Sequence, residues 1–142
     1  MELVASMQNE NSGVPAKLRT YGPLAASVLG VKCHPANGGG ATVDLSSDTL
    51  DYAKHTTGYY VGGIMAEIVI PAGSRASAYG YALGAVWAAT DGKGYAGFWA
   101  EGDNVIAEAS EWYAERAYAL MVAEERGERA IYGIAEGETI TL

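Results

Sequence analysis

The sequence predicts an α+β domain: a mostly antiparallel β sandwich or barrel with one long helix packed against it. Two observations predict this class. Several short segments alternate between apolar and polar or small residues and are separated by Gly- and Pro-containing turns. Segment 104–126 instead repeats its apolar residues at every third or fourth position, which is the period of a helix. At 142 residues the chain has the usual size of one domain, so we expect a single unit over 1–142.

The first 40 residues show neither period. They contain Pro15, Pro23 and Pro35 and end in the glycine run Gly38–Gly40. A compact domain rarely carries so long an irregular segment unless the segment is bound to something. We therefore expect residues 1–40 to form an extended arm or irregular segment, and residues 41–142 to form a β-rich core. An edge strand at 3–5 is the alternative for the start of the arm.

Five segments of the core have strand patterns and one resembles a short helix. Ser77–Trp87 has the clearest alternation, with large side chains on one face and almost only small ones on the other. The turn 91–94 (DGKG) predicts a hairpin between that strand and the next. The predicted elements are a helix over Ser46–His55 and strands over Tyr59–Ile70, Ser77–Trp87, Tyr95–Ala100 and a pair in the tail, 130–135 and 139–142.

The long helix is predicted over 104–126. Val105, Ala109, Trp112 and Leu120 recur at helical spacing, and the acidic residues of the segment occupy a different face. Asp103 or Asn104 supplies an N-cap, and a glycine at 127 supplies a stop. The alternative divides the segment, with a strand over 116–123 turning into another over 129–135. The pattern leaves both interpretations open.

Reactive side chains are scarce. Cys33, His34 and His55 are the only cysteine and histidines, and no nucleophile elbow or phosphate-binding loop is present. Cys33 and His34 are adjacent, so an extended backbone would point them to opposite faces. Glu101 and Asp103 lie together at the start of the predicted helix, where acids complement the helix dipole. We predict no catalytic, cofactor or metal site and lean against an enzyme.

The net charge of −8 is unevenly distributed. Residues 1–100 contain seven acids and six bases, whereas residues 101–142 contain ten acids and three bases. This sign disfavours direct binding of nucleic acid. The acidic third either confers solubility, meets a basic surface or mimics nucleic acid. No apolar run approaches the length needed to span a bilayer, so we expect a soluble protein made in the cytoplasm.

The aromatic residues favour a role in protein contacts. The chain has ten Tyr and three Trp but one Phe, and Tyr and Trp are the rings enriched at interfaces, where one side is dry and the other wet. We predict an interface between subunits of a homo-oligomer. Its predicted residues are Tyr59, Tyr79, Tyr81, Trp87, Trp99 and Trp112.

The run Gly84–Glu108 (GAVWAATDGKGYAGFWAEGDNVIAE) carries a resemblance. A strand that ends in Trp87, a turn, and the segment 99–105 (WAEGDNV) resemble the small decoration, or cement, proteins of tailed-bacteriophage capsids. The closing strands of 131–142 also suit that family. The resemblance implies a virion protein, often trimeric, that binds across capsid subunits and has no catalytic residues. It also implies strands where the periodicity favours a helix at 104–126.

Three functions therefore stand as hypotheses. The first is a structural virion protein that decorates or stabilises a capsid through contacts with its own copies and with a major capsid protein. The second is a small oligomeric enzyme or ligand-binding module with its site at a subunit interface. The third is an acidic inhibitor that mimics nucleic acid.

Overall fold

The computed structural model describes residues 15–37 and 39–142. The chain folds as an α+β protein with a seven-stranded antiparallel sheet and three α-helices in the described part. The helices are α1 (Ala16–Lys32), α2 (Ala76–Thr90) and α3 (Arg116–Glu125). The strands are β1 (Gly40–Asp44), β2 (Tyr59–Val61), β3 (Ile68–Pro71), β4 (Tyr95–Glu101), β5 (Asn104–Tyr113), β6 (Ala130–Gly133) and β7 (Glu138–Thr141).

The sheet is open, with strand order β1-β4-β5-β2-β6-β7. The fourth and fifth strands form its centre through a hairpin whose two-residue loop has Gly102 at a positive φ of 61°. On the other side of β5, the next strand position is filled by two strands in turn: β2 pairs with one end of β5 and β3 with the other. Val61 pairs with Glu111 and Ile68 with Ala107, so residues 62–67 lie opposite only residues 108–110. The surplus residues leave the sheet as a loop.

All three helices cover the same face of the sheet. Val105, Ala107 and Ala109 of β5 join the core under α1 and α2. Tyr113 lies an even number of residues from them along β5 and so points to the same face of the sheet, where it packs in the second core under α3. The opposite face carries no helix of the described chain, and that face holds the groove described below.

The two longer helices pack closely through small residues. A Cβ added at Gly30 would lie 3.6 Å from the ring of Tyr79, and one added at Gly80 would lie 3.8 Å from the Cβ of Ala26. The core between them and the sheet includes Leu29, Leu83 and Phe98, all essentially buried.

Several sequence predictions are wrong at the level of elements. The predicted strand Ser77–Trp87 is a helix, because Tyr79, Ala82, Leu83 and Val86 also recur at helical spacing and are the buried residues of α2. The DGKG turn joins that helix to β4 and is not a hairpin. Residues 16–32 of the predicted arm form α1, which contains Pro23. The remainder of the arm up to residue 14 lies outside the described residues.

The long helix is also wrong, and so is the closed barrel. Segment 104–126 is a ten-residue strand followed by a ten-residue helix, which is neither of the two predicted interpretations. Ser46–His55 contains turns and an isolated bridge in place of a helix. The predicted strand over Tyr95–Ala100 and the two closing strands are confirmed.

Candidate functional site

The face of the sheet that no described helix covers forms a groove of about 1210 Å³, which we call the sheet groove. Its floor consists of the outward-pointing residues of the central strands, and its rims are the segments before β3 and after α3. Its lining combines rings with acids; the members used below are Tyr60, Glu67, Gly97, Trp99, Glu101, Glu108, Glu128 and Tyr132.

Trp99 lies along the floor of the groove. It points to the same face as Gly97, two residues earlier on β4, and its ring reaches within 3.8 Å of the position that a Gly97 Cβ would take. Gly40 is its neighbour on β1, also without a side chain. The glycines therefore leave room for the indole to lie over the strands, and the ring forms an apolar floor.

Glu108 stands beside this floor, opposite Gly97 in the β4–β5 register. Gly62 of the looped-out segment abuts it, since a Cβ at Gly62 would collide with the Glu108 carboxylate. Burial, together with smaller effects of the nearby carboxylates of Glu128 and Glu67, raises the pKa of Glu108 to about 7. The carboxyl therefore changes charge near neutral pH.

An aromatic cluster closes one end of the groove. The His55 ring stacks on Trp112 with centroids 4.0 Å apart, and its Nε2 lies 2.7 Å from the hydroxyl oxygen of Tyr95. Tyr60 packs against Tyr95 at 5.3 Å between centroids. Burial, with smaller effects of Tyr95 and Asp44, raises the pKa of Tyr60 to about 12, so its phenol stays neutral. The cluster is rigid packing around a histidine.

A second unusual surface lies on the other side of the molecule. Tyr21, Leu24, Val28 and Val31 recur at spacings of three and four along α1, on the side opposite its buried residues Gly22, Ala26 and Leu29. Leu24 and Val31 are 68% and 69% exposed. Tyr81, 74% exposed, points away from the core on α2. We call this surface the helical face.

The helical face is almost uncharged. Helices of 17 and 15 residues contain three charged residues between them, Lys17, Arg19 and Lys32, and no acid. Soluble surfaces usually have about a quarter to a third of their residues charged. An apolar, acid-free face of this kind is typical of a contact surface.

The six predicted interface residues do not form one patch. Tyr81 lies on the helical face and Trp99 in the sheet groove, whereas Tyr59 is half-buried beside α3. Three others are engaged within the fold. Tyr79 is 4% exposed in the core and offers no surface. The Lys17 ammonium lies 4.8 Å above the Trp87 ring. Trp112 stacks on the His55 ring and donates a hydrogen bond to the Thr57 carbonyl.

The reactive residues are not brought together. Cys33 is buried in the core on the helical side, and that burial raises its pKa. His55 stacks on the opposite face of the sheet. The Nδ1 of His34 accepts a hydrogen bond from the Ala36 amide. Within 15–37 and 39–142, no group of three or more His, Cys, Asp or Glu is placed to hold a metal ion.

The acidic residues are dispersed as well. Glu108 and Glu111, expected on one helical face, point to opposite faces of β5, and Glu111 pairs with Arg126 on the helix side. Glu101 and Asp103 lie at the β4–β5 hairpin, not at a helix start. Sequence reasoning missed Glu108 as a site residue. The alternation of Val105, Ala107 and Ala109 was the available signal for the strand that positions it.

No described helix has the combination of length and apolar character that crossing a membrane requires. Comparisons with models of known protein families, with curated proteins and with solved structures found no match to this chain.

Proposed function

We propose that this chain is a structural protein that works by assembling with other protein subunits, of the kind that decorates and stabilises a virion capsid. The observation that carries the proposal is the helical face. Its large apolar side chains are exposed among the described residues, and α1 and α2 contribute no acid to it. Burying these side chains against a protein removes apolar area from water. The scarcity of converging reactive groups points the same way.

The hairpin of β4 and β5 supports the capsid part of the proposal. The segment 99–105, on which the resemblance to phage decoration proteins depends, forms this hairpin, and 104–113 is a strand. The resemblance requires strands there, where periodicity alone favoured a helix. Other parts of the resemblance do not fit, because Trp87 lies in the helix α2 in place of a strand, and 116–125 is the helix α3.

A ligand-binding module is the second candidate, and the sheet groove favours it. The groove combines an apolar indole floor with a carboxyl that changes charge near neutral pH, two features that binding sites use. The third hypothesis, mimicry of nucleic acid, has less support. Its acids are spread over the groove, the hairpin, α3 and the β6–β7 turn in place of one continuous surface.

The proposal is tested by the mass of the purified full chain in solution. We expect the wild type to exceed its monomer mass of 14.8 kDa as its concentration rises to several hundred micromolar. The variant Leu24→Gln, Val28→Gln, which we call the helix variant, should remain monomeric. A matched control, Tyr118→Gln with Met121→Gln, makes the same exchange on the exposed side of α3 and should behave as the wild type.

Circular dichroism should show all three proteins folded, because the four exchanged side chains are exposed. A wild-type chain that remains at 14.8 kDa at every concentration would contradict the proposed function.

A further inference from the structure

Residues 62–67, which leave the sheet between β2 and β3, form part of the rim of the sheet groove; we call them the strap. Gly62, Met65 and Glu67 of the strap line the groove, and Met65 also packs, half-buried, against the core. Outside the strand ladders, the backbone of the strap has one hydrogen bond among the described residues, from Nη1 of Arg126 to the Gly62 carbonyl. A segment tied this weakly can open locally while the sheet stays folded.

Three carboxyl groups meet at the strap, and each comes from a different part of the chain. Glu67 belongs to the strap itself, Glu108 stands on β5 and Glu128 follows α3. Gly62 abuts the Glu108 carboxylate, and a Cβ at Gly63 would lie 2.9 Å from Cγ of Glu128. The strap therefore lies between two carboxyl groups and carries a third, and like charges this close disfavour one another.

The other described elements around Glu108 supply no charge that offsets the cluster. Its partner on β4 is Gly97, which has no side chain, and the next charged residue of that strand at the groove is another acid, Glu101. Tyr60 on β2 stays neutral, because its pKa is raised to about 12.

The bases near the cluster do not offset it either. Arg126 directs its guanidinium to a carboxylate on the helical side of β5. Lys32 and Arg129 line the groove, yet the pKa of Glu108 is still raised to about 7. Residues 1–14, outside the described part, contain no basic side chain. Negative charge therefore accumulates at the strap once all three carboxyl groups are ionised.

We propose that the strap is a pH-sensitive flap, which closes over the groove while Glu108 is protonated and moves outward when Glu108 ionises. The glycine pair at its start supplies the hinge, since Gly63 has a positive φ of 86°. Opening admits water to the Glu108 carboxylate and carries Glu67 away from it, so that ionisation costs less in the open form.

The direction of the response follows from linkage. The closed form binds the proton of Glu108 more tightly than the open form, so a rise in pH through about 7 shifts the population towards the open form. Access to the sheet groove then depends on pH, which is a property beyond the proposed assembly function.

Oxidation of Met65 by hydrogen peroxide measures the opening, because its thioether becomes more exposed as the strap moves outward. The full chain at low micromolar concentration is treated at pH 5.5 and at pH 8.5. Peptide mass spectrometry then gives the sulfoxide formed at Met65 relative to Met121, which is 46% exposed on α3. This ratio cancels any effect of pH on the reagent. We expect it to rise several-fold in the wild type between the two pH values.

Three variants assign the rise to the carboxyl cluster. Glu108→Gln cannot ionise, so its ratio should stay low at both pH values. Glu101→Gln, which changes an exposed carboxyl of the same groove, is the matched control and should behave as the wild type. Glu67→Gln with Glu128→Gln removes the facing charges, so Glu108 ionises more easily and the midpoint of the rise should move to lower pH.

A wild-type ratio that does not change with pH would overturn the proposal, and so would a Glu108→Gln variant that keeps the full rise. If that variant does not fold, the double variant decides, because an unmoved midpoint rejects the carboxyl cluster as the switch. These outcomes are separate from assembly, since they are measured far below the concentration at which the chains are expected to associate.

Discussion

At the scale of single residues, Glu108 has the most unusual environment in the groove. Its carboxyl is partly buried beside Gly62, near the carboxylates of Glu128 and Glu67, and its pKa rises from 4.5 to about 7. The folded state therefore holds a proton that the unfolded state loses over this interval. Stability must fall as the pH rises from about 4.5 to 7, and the cost is complete above 7.

We predict that Glu108→Gln stabilises the protein at pH 8 and has no such effect at pH 4, where the carboxyl is neutral in both states. The gain at pH 8 should be roughly 1 kcal/mol after allowance for partial solvent exposure. Urea unfolding in the background of the helix variant, which keeps the protein monomeric, measures it. Glu101→Gln, an exposed carboxyl in the same groove, is the control. An equal gain at both pH values would refute the assigned cause.

At the scale of elements, Arg126 joins three parts of the fold. It ends α3, its Nη2 donates to the Glu111 carboxylate on β5, and its Nη1 donates to the Gly62 carbonyl at 3.1 Å. The hydrogen bond from Arg126 is the main reason that the pKa of Glu111 lies below its ordinary value. This contribution to stability is present above about pH 4.5 and is lost as the pH falls through the lowered pKa.

Replacing this arginine should loosen α3 from the sheet. Arg126→Met keeps the apolar stem but loses both hydrogen bonds, so we expect about 1 to 2 kcal/mol less stability at pH 7. The difference should be smaller at pH 3, because Glu111 gains protons as the pH falls toward its lowered pKa. Thermal and urea unfolding at both pH values test this, with Arg116→Met, an exposed arginine on the same helix, as control. A loss of the same size at pH 3 would show that the ion pair is not responsible.

How far the sequence predicted each element depends on which period its residues display. In α2, large and small residues alternate and also recur at helical spacing, so the pattern fits both a strand and a helix. The many alanines of the segment favour the helix. In β5, the acids stand at helical spacing by coincidence, while the buried residues alternate. Pro23 lies inside α1, directly after Gly22, although proline is disfavoured in the interior of a helix.

The sheet groove was not predictable for a different reason. It depends on the register between β4 and β5 and on the segment 62–67, which leaves the sheet where one strand over Tyr59–Ile70 was expected. The pairing of β2 and β3 with β5 joins residues far apart in the chain, and no local pattern records it. The interface prediction rested on residue type alone. It therefore selected Trp99 and Tyr81 together with Tyr79, which fills the core.

At the scale of the whole molecule, the layers are asymmetric. Helices cover one face of the sheet and none of the described helices covers the other, so large apolar side chains are exposed on the helical side and the sheet groove lies on the other. Assembly through the helical face would complete the burial that one copy leaves unfinished.

Hydroxyl-radical footprinting of the wild-type chain at low and high concentration tests the central claim most directly, because it reports which side chains become buried. Oxidation of Tyr21 and Leu24 on the helical face should fall several-fold at high concentration. Met121, 46% exposed on α3, should react equally at both concentrations. Unchanged oxidation of the helical face, or protection confined to Met121, would contradict the account.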